Sequence, residues 1–276
     1  MRVLVTGSSG RIGAVVAREI ARTHHVIGLD RIAGPWTNVV GSIADAAVVA
    51  DAVARVDAII HTAALHAPHV GIEPDSRFVE TNVHGTERLL EAALRHGLIR
   101  FVLTSSTSLY GAAMVNAGRA VWVTESLTPI ARDVYDETKL AAEAACAAAA
   151  RAGLPCISLR MSRCFPEPPD LMAIYRLYRG VDATDVAEAH RLALTTELAG
   201  YHAFNISAQT PFTEDELTSL YCDAAGLIRS KYRWAEAEFA RRGWTLPRSI
   251  DRVYVIEKAR RMLGYAPRYN FESLLA

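Results

Sequence analysis

Residues 2–13 read Arg2-Val3-Leu4-Val5-Thr6-Gly7-Ser8-Ser9-Gly10-Arg11-Ile12-Gly13. A short β-branched run passes through three glycines at GxxGxxG spacing into a helical pattern that begins at Ile12. Glycines in such a turn let the backbone approach a pyrophosphate, whose charge is met by the N-terminus of the following helix. In isolation a glycine-rich strand-to-helix turn is a weak signal, so the surrounding pattern decides its meaning.

Outward from the turn, short apolar runs alternate with longer helical patterns, which is the mark of βαβ units and a parallel sheet. Strands are expected at residues 3–5, 26–30, 57–61, 101–105 and 156–160. Helices are expected at 12–21, 44–55, 78–96 and 135–152, the last stopped by Gly153 and Pro155. This order predicts an α/β fold, a doubly wound parallel sheet that binds a nucleotide, over residues 1–160. Beyond Arg160 the alternation gives way to a Pro- and Arg-rich segment, and helices then outnumber strands. A smaller, mainly helical substrate lobe is expected over residues 161–276, packed on the first with no flexible linker. It should hold a helix at 184–195, a strand at 201–206, a helix opened by a Thr213/Glu216 capping box, and a helix at 255–263 stopped by Gly264 and Pro267.

The composition sets limits on function. The chain has 276 residues, 51% hydrophobic and 22% charged, with 30 Lys and Arg balancing 30 Asp and Glu. A neutral chain without a basic block lacks the electrostatic footprint of a nucleic-acid partner. The length allows a sizeable core without staples. The four cysteines show no CxxC spacing, and Met-Arg-Val-Leu-Val-Thr-Gly carries no signal-peptide apolar core. No apolar run reaches the ~20 residues of a membrane span; the alanine-rich stretch near Ala145 is interrupted by Glu143. The expectation is a soluble protein of a reducing cytoplasm, with neither nucleic acid nor membrane as partner.

The second strand ends in Asp30, where a carboxylate accepts hydrogen bonds from ribose hydroxyls and repels a 2′-phosphate. This points to NAD. Arg31 beside it is able to pair with that phosphate, which leaves NADP open. Farther on, Tyr135 and Lys139 stand at i, i+4 on one face of the expected 135–152 helix. Hydride removal from a carbinol requires its proton to leave as well. A phenolate can take that proton, and a neighbouring ammonium favours the phenolate.

The GxxGxxG spacing resembles that of the short-chain dehydrogenase/reductases, and further motifs match their extended, epimerase/dehydratase-like class with its Rossmann-type fold. Gly41-Ser42-Ile43-Ala44-Asp45 resembles the segment that meets adenine, with Ser42 where the class has Asp. His61-Thr62-Ala63-Ala64 resembles the strand end that lies alongside the cofactor, and Thr81-Asn82-Val83 the helix segment supporting it. Thr104-Ser105-Ser106-Thr107-Ser108-Leu109-Tyr110-Gly111 resembles the Ser-rich catalytic segment. The resemblance implies that Gly7, Ser9, Gly10, Arg11, Ile12, Gly13, Asp30, Arg31, Ser42, Ile43, His61, Ala63, Ala64, Asn82, Tyr135 and Lys139 hold the cofactor. It implies a catalytic group in which Ser106 binds the reacting oxygen, Tyr135 exchanges the proton, and Lys139 biases Tyr135 and binds the nicotinamide ribose.

Dehydratases of the class carry Asp-Glu after the catalytic hydroxyl, whereas this chain has Thr107-Ser108, so dehydration is the least expected of the class reactions. The Arg160–Pro168 stretch lacks the Asn of the sugar-nucleotide epimerase motif and is more similar to the corresponding segment of uronate dehydrogenases. Residues His66, Ser106, Thr107 and Ser162 are the expected substrate contacts, with Arg176 or Arg179 as carboxylate anchor. His61, His66 and His69 invite a metal reading, but hydride transfer needs no metal and none is expected. Asp185 is expected to be structural. The function expected is hydride transfer between NAD and a hydroxyl or keto carbon of a sugar, sugar acid or small polyol. A nucleotide-sugar epimerase retaining its NAD and a non-catalytic cofactor-binding regulator are the alternatives. A homodimer through the 78–96 and 135–152 helices follows from the resemblance alone.

Overall fold

β1 (Arg2–Thr6) is buried from Val3 onward, because both faces of this central strand meet a layer of helices. The computed structural model describes residues 1–275. After β1 come α1 (Arg11–Ile20), β2 (His25–Asp30), β3 (Val39–Val40), α2 (Ala46–Val53), β4 (Ala58–His61), α3 (Asp75–Phe78) and α4 (Gly85–Arg95). β5 (Arg100–Ser106), β6 (Val121–Val123), α5 (Val134–Arg151), β7 (Cys156–Met161), α6 (Pro169–Arg176), α7 (Ala183–Thr195) and β8 (Tyr201–Ile206) follow. The last elements are α8 (Leu217–Cys222), α9 (Ala224–Lys231), α10 (Ala235–Arg241), β9 (Arg252–Tyr254) and α11 (Glu257–Leu263).

Seven parallel strands form one sheet in the order β3-β2-β1-β4-β5-β7-β8, so the chain winds outward in both directions from the β1–β4 junction. Alternating side chains separate the two layers. Val3, Val5, Ile60, Val102 and Phe204 pack with α1, α7 and α11, while Leu4, Ile59, Phe101 and Leu103 pack with α2, α4 and α5. Reversal of strand order at β1 and β4 opens a crevice at the carboxyl ends of the strands, where ligands bind in such sheets.

Several boundaries differ from those read in the sequence. The helix expected at 44–55 begins only at Ala46, because Asp45 caps it by accepting from the amides of Ala47 at 2.9 Å and Val48 at 3.3 Å. The helix expected at 78–96 begins earlier, at Asp75, and contains a π-helical turn over Val79–His84. The 255–263 helix is shorter, since β9 runs to Tyr254 and α11 starts at Glu257. The Thr213/Glu216 box opens a 3₁₀ turn that leads into α8. Residues 183–206 return to the main sheet as α7 and β8, so the layered domain reaches beyond residue 160. The smaller lobe is built from α6, α8 to α10, the β6–β9 pair and the chain end around Phe271, around Ile174, Leu220, Phe239 and Val253. Among the described residues, no helix is long and apolar enough to cross a membrane.

Candidate active site

At the end of β1, Gly7 adopts φ +71°, and a Cβ there would stand 2.8 Å from the Ala63 amide nitrogen. A Cβ on Gly13 would meet the Gly7 carbonyl oxygen at 1.9 Å. The turn therefore tolerates only glycine at both places. Gly10 caps α1 with no side-chain acceptor, and the first turn of α1 contains no acidic residue. Its amides and dipole are left for an anion, and the tight turn brings backbone close to it.

A cleft of about 590 Å³ runs from this turn across the strand ends. Its wall includes Gly7, Gly10, Arg11, Ile12, Gly13, Asp30, Arg31, Ser42, Ile43, Ala63, Ala64 and His66. The Asp30 carboxylate accepts from the Ser9 amide at 2.9 Å and the Ile32 amide at 3.0 Å, which fixes it at the rim beside the exposed Arg31. Ser42 accepts from the Ala44 amide at 3.1 Å, so its hydroxyl shapes the turn as well as facing the cleft. Arg11 crosses to the far wall, where its guanidinium donates to the Cys164 carbonyl and lies 5.2 Å from the Phe165 ring centroid.

Three residues expected to hold the cofactor lie behind the wall. Ser9 turns its hydroxyl to the Ile32 carbonyl at 2.7 Å. His61 is buried between the hydroxyls of Thr6 at 2.7 Å and Thr86 at 3.0 Å, and burial pushes its pKa down to about 3. Its ring is a neutral tie between β1, β4 and α4. Asn82 donates to the Leu65 carbonyl at 3.0 Å and accepts from the Leu65 amide at 2.8 Å, fastening the loop after β4 to the π-helical turn. The side-chain polar atoms of all three bond to protein partners in the structure.

β5 and α5 bring Ser106, Tyr135 and Lys139 together. Asp133 caps α5 by accepting from the Asp136 amide at 3.0 Å, which places Tyr135 in the first turn. The Lys139 ammonium donates to the Thr104 carbonyl at 3.0 Å, and Thr104 lies on the cleft wall. Burial pulls Lys139 down to about 8, with the Glu143 carboxylate opposing. Burial also raises Tyr135 to about 12; the Ser106 hydroxyl works against this rise, and the Asp136 and Asp133 carboxylates add to it. Tyr135 is thus a neutral phenol near pH 7, with desolvation the largest influence on it. Ser106 accepts from the Ser108 amide at 3.1 Å, which leaves its hydroxyl proton available. The His66 ring centroid lies 6.5 Å from that of Tyr135, and the surrounding walls with the Lys139 charge push the His66 pKa down.

The arginines expected at the substrate end are placed elsewhere. Arg176 is buried and paired with Asp182 at 3.2 Å. The guanidinium of Arg179 sits 4.5 Å from the Tyr175 ring centroid. Neither lines the cleft. Ser162 is buried and donates to Ser207 at 3.1 Å, and Thr107 is buried beside the end of β7. Asp185 accepts from the amides of Arg268 at 2.9 Å and Tyr269 at 3.0 Å, a structural tie to the chain end. His61, His66 and His69 do not converge, and among the described residues no group of three or more metal-type ligands forms. Sequence reasoning passed over Met161, Phe165 and Thr104 on the cleft wall. Nothing in their spacing distinguishes them from core residues.

Comparison with known proteins agrees with this architecture. A 3-beta-hydroxysteroid dehydrogenase from Mycolicibacterium neoaurum is 39% identical over 155 residues, covering 51% of this chain and 41% of the relative. The chain thus spans about two fifths of the length of the first curated relatives it matches. A dTDP-glucose 4,6-dehydratase from Streptomyces antibioticus is 28% identical, covering 100% of this chain and 90% of the relative. The crystal structure of a dTDP-glucose 4,6-dehydratase from Streptomyces venezuelae with NAD bound superposes with a TM-score of 0.72 at 25% identity, covering 100% and 95% of the two chains. Residues 3–169 match the NAD dependent epimerase/dehydratase family, and the chain belongs to it.

Proposed function

We propose that this chain transfers a hydride between NAD and a hydroxyl or keto carbon of a sugar, sugar acid or similar small polyol. The observation that carries the reading is the meeting of Ser106, Tyr135 and Lys139 beside a cleft whose other end is the glycine turn and Asp30. The residues fit a dinucleotide: an uncapped helix end and a turn without Cβ atoms suit the pyrophosphate, and Asp30 suits the adenosine ribose. Asp30 also favours NAD over NADP, against Arg31. The bound cofactor supplies hydride acceptance and donation.

The chain's own groups handle the proton and the orientation. Ser106 donates a hydrogen bond to the reacting oxygen. Tyr135, neutral when no ligand is bound, is ready to give its proton to a keto oxygen, and in the oxidation direction it must first lose that proton. Lys139, close to neutrality in pKa, favours that loss. His66 and Thr107 flank the substrate end. The reading includes a homodimer through α4 and α5, the latter exposing the small residues Ala144 and Ala148. A reducing cytoplasm is supported by four free cysteines.

The test mixes the protein, excess NAD and a panel of sugars, sugar acids and one 3β-hydroxysteroid, and follows NADH in free solution. Multiple turnovers on a sugar or sugar acid are expected. Turnover confined to the steroid would overturn the substrate class. Tightly retained NAD, no free NADH and inversion of a nucleotide sugar would replace net oxidation by epimerisation.

A further inference from the structure

α5 continues the rhythm that places Tyr135 and Lys139: four residues on, Glu143 is buried at 5% exposure on the same helix face. Its carboxylate accepts from the Ser105 hydroxyl at 2.6 Å, from Arg160 Nη2 at 2.7 Å and Nε at 3.0 Å, and from the Tyr201 hydroxyl at 3.1 Å. Arg160 in turn donates to the Tyr110 hydroxyl at 2.9 Å, which donates to Asn205 at 2.8 Å. Strands β5, β7 and β8 therefore each aim a side chain at one carboxylate on α5. The end of β5 meets α5 at three places. Thr104 holds Lys139 through its carbonyl, Ser105 holds Glu143, and Ser106 faces Tyr135, so three consecutive strand residues address three successive turns of one helix.

We propose that Glu143 is a positioning residue for Ser106, Tyr135 and Lys139: it locks the register of α5 on the end of β5 and sets a carboxylate one helical turn from the Lys139 ammonium. The role in turnover rests on the proton-transfer reading above. Lys139 is faced by Tyr135, Glu143 and Cys146 from its own helix, by His61 from β4 and by His66 from the loop after it. His61 and His66, held neutral, bring no charge of their own, and Glu143 is the carboxylate that acts on Lys139. The Arg160 guanidinium is the cation paired with this buried carboxylate, at 2.7 Å.

The chain makes the test direct, because Lys139, Lys231 and Lys258 are its only lysines. Protein labelled with ¹³C at lysine Cε gives one resonance for each, and the Lys139 signal is the one lost in Lys139→Met. Its titration is followed in wild type, in Glu143→Gln, and in Glu143→Gln/Arg160→Met, which removes both charges and avoids stranding the guanidinium. The expected result is a Lys139 midpoint lowered on the order of one unit in Glu143→Gln and by less in the double variant, where the lost guanidinium offsets part of the change, with kcat falling about tenfold and KM within about twofold. A folded variant whose Lys139 midpoint does not move overturns the proposal. Wild-type protein with no turnover on any substrate would instead defeat the hydride-transfer reading, while the lysine titration still decides the role of Glu143.

Discussion

Asp30 lines the cleft and Tyr135 lies behind its His66 wall, and each is open to a single-atom-scale test. Tyr135→Phe removes one oxygen and keeps the buried ring, so NAD affinity should change little while kcat drops about 100-fold or more. Unchanged turnover in that variant, measured by NADH formation, removes Tyr135 from the chemistry. Asp30 spends two lone pairs on the Ser9 and Ile32 amides and still faces the cleft beside Arg31. Asp30→Ala should narrow the ratio of kcat/KM for NAD over NADP about tenfold by removing repulsion of the 2′-phosphate. If the ratio stays fixed, Arg31 governs cofactor choice. Both positions stand out in the sequence because a strand end and an i, i+4 pair are local features. Arg176 was not: its partner Asp182 reads in sequence as the cap of α7, which it also is, and only the fold shows the two side chains paired.

Among the elements, the helical run from Asp75 to Arg95 shows what local pattern misses. Its π-helical turn turns Asn82 toward the loop after β4, where the amide group satisfies both backbone polar atoms of Leu65. Asn82→Ala should leave those atoms buried and unpaired, at a cost of about 1–3 kcal/mol. The check is hydrogen exchange, with the Leu65 amide exchanging faster than in wild type while the amides of β1 stay protected. Equal protection at Leu65 in both proteins would separate Asn82 from the loop. A π-turn follows from tertiary demand, which explains its absence from the helical periodicity. β6 and β9 were missed for a simpler reason: each has three residues, too few to show alternation, and they are far apart in the sequence, pairing Val121 with Arg252.

The whole molecule buries two neutral imidazoles in its main layers, His61 on β4 and His190 on α7, the second bonded to Thr104 at 2.7 Å. Burial lowers them to about 3 and about 4. Unfolding returns both toward 6.5, so below that pH the unfolded chain binds more protons and the native state loses stability as pH falls. The loss is about 1.4 kcal/mol per pH unit for each histidine. It continues down to about 4 for His190 and about 3 for His61. The thermal midpoint should therefore decline with acidification through this window, and His190→Gln should flatten the slope by about one proton. A slope identical in both proteins would show that His190 is not held neutral. At this scale the sequence displayed the alternating α/β order but not the return of residues 183–206 to the sheet. That return places His190 against Thr104 of β5 and is a property of topology, not of any local pattern.

Arg11 joins the two walls of the cleft, from the first turn of α1 to the Cys164 carbonyl and the Phe165 ring. A contact made across an opening acts on traffic through it. Anything extended enough to lie along the whole cleft must pass beneath this side chain or displace it, and must do so again on leaving. Arg11→Ala, which removes this contact across the opening, should therefore speed release of bound NAD in a stopped-flow chase, and an unchanged release rate would show that the side chain does not hold the walls together.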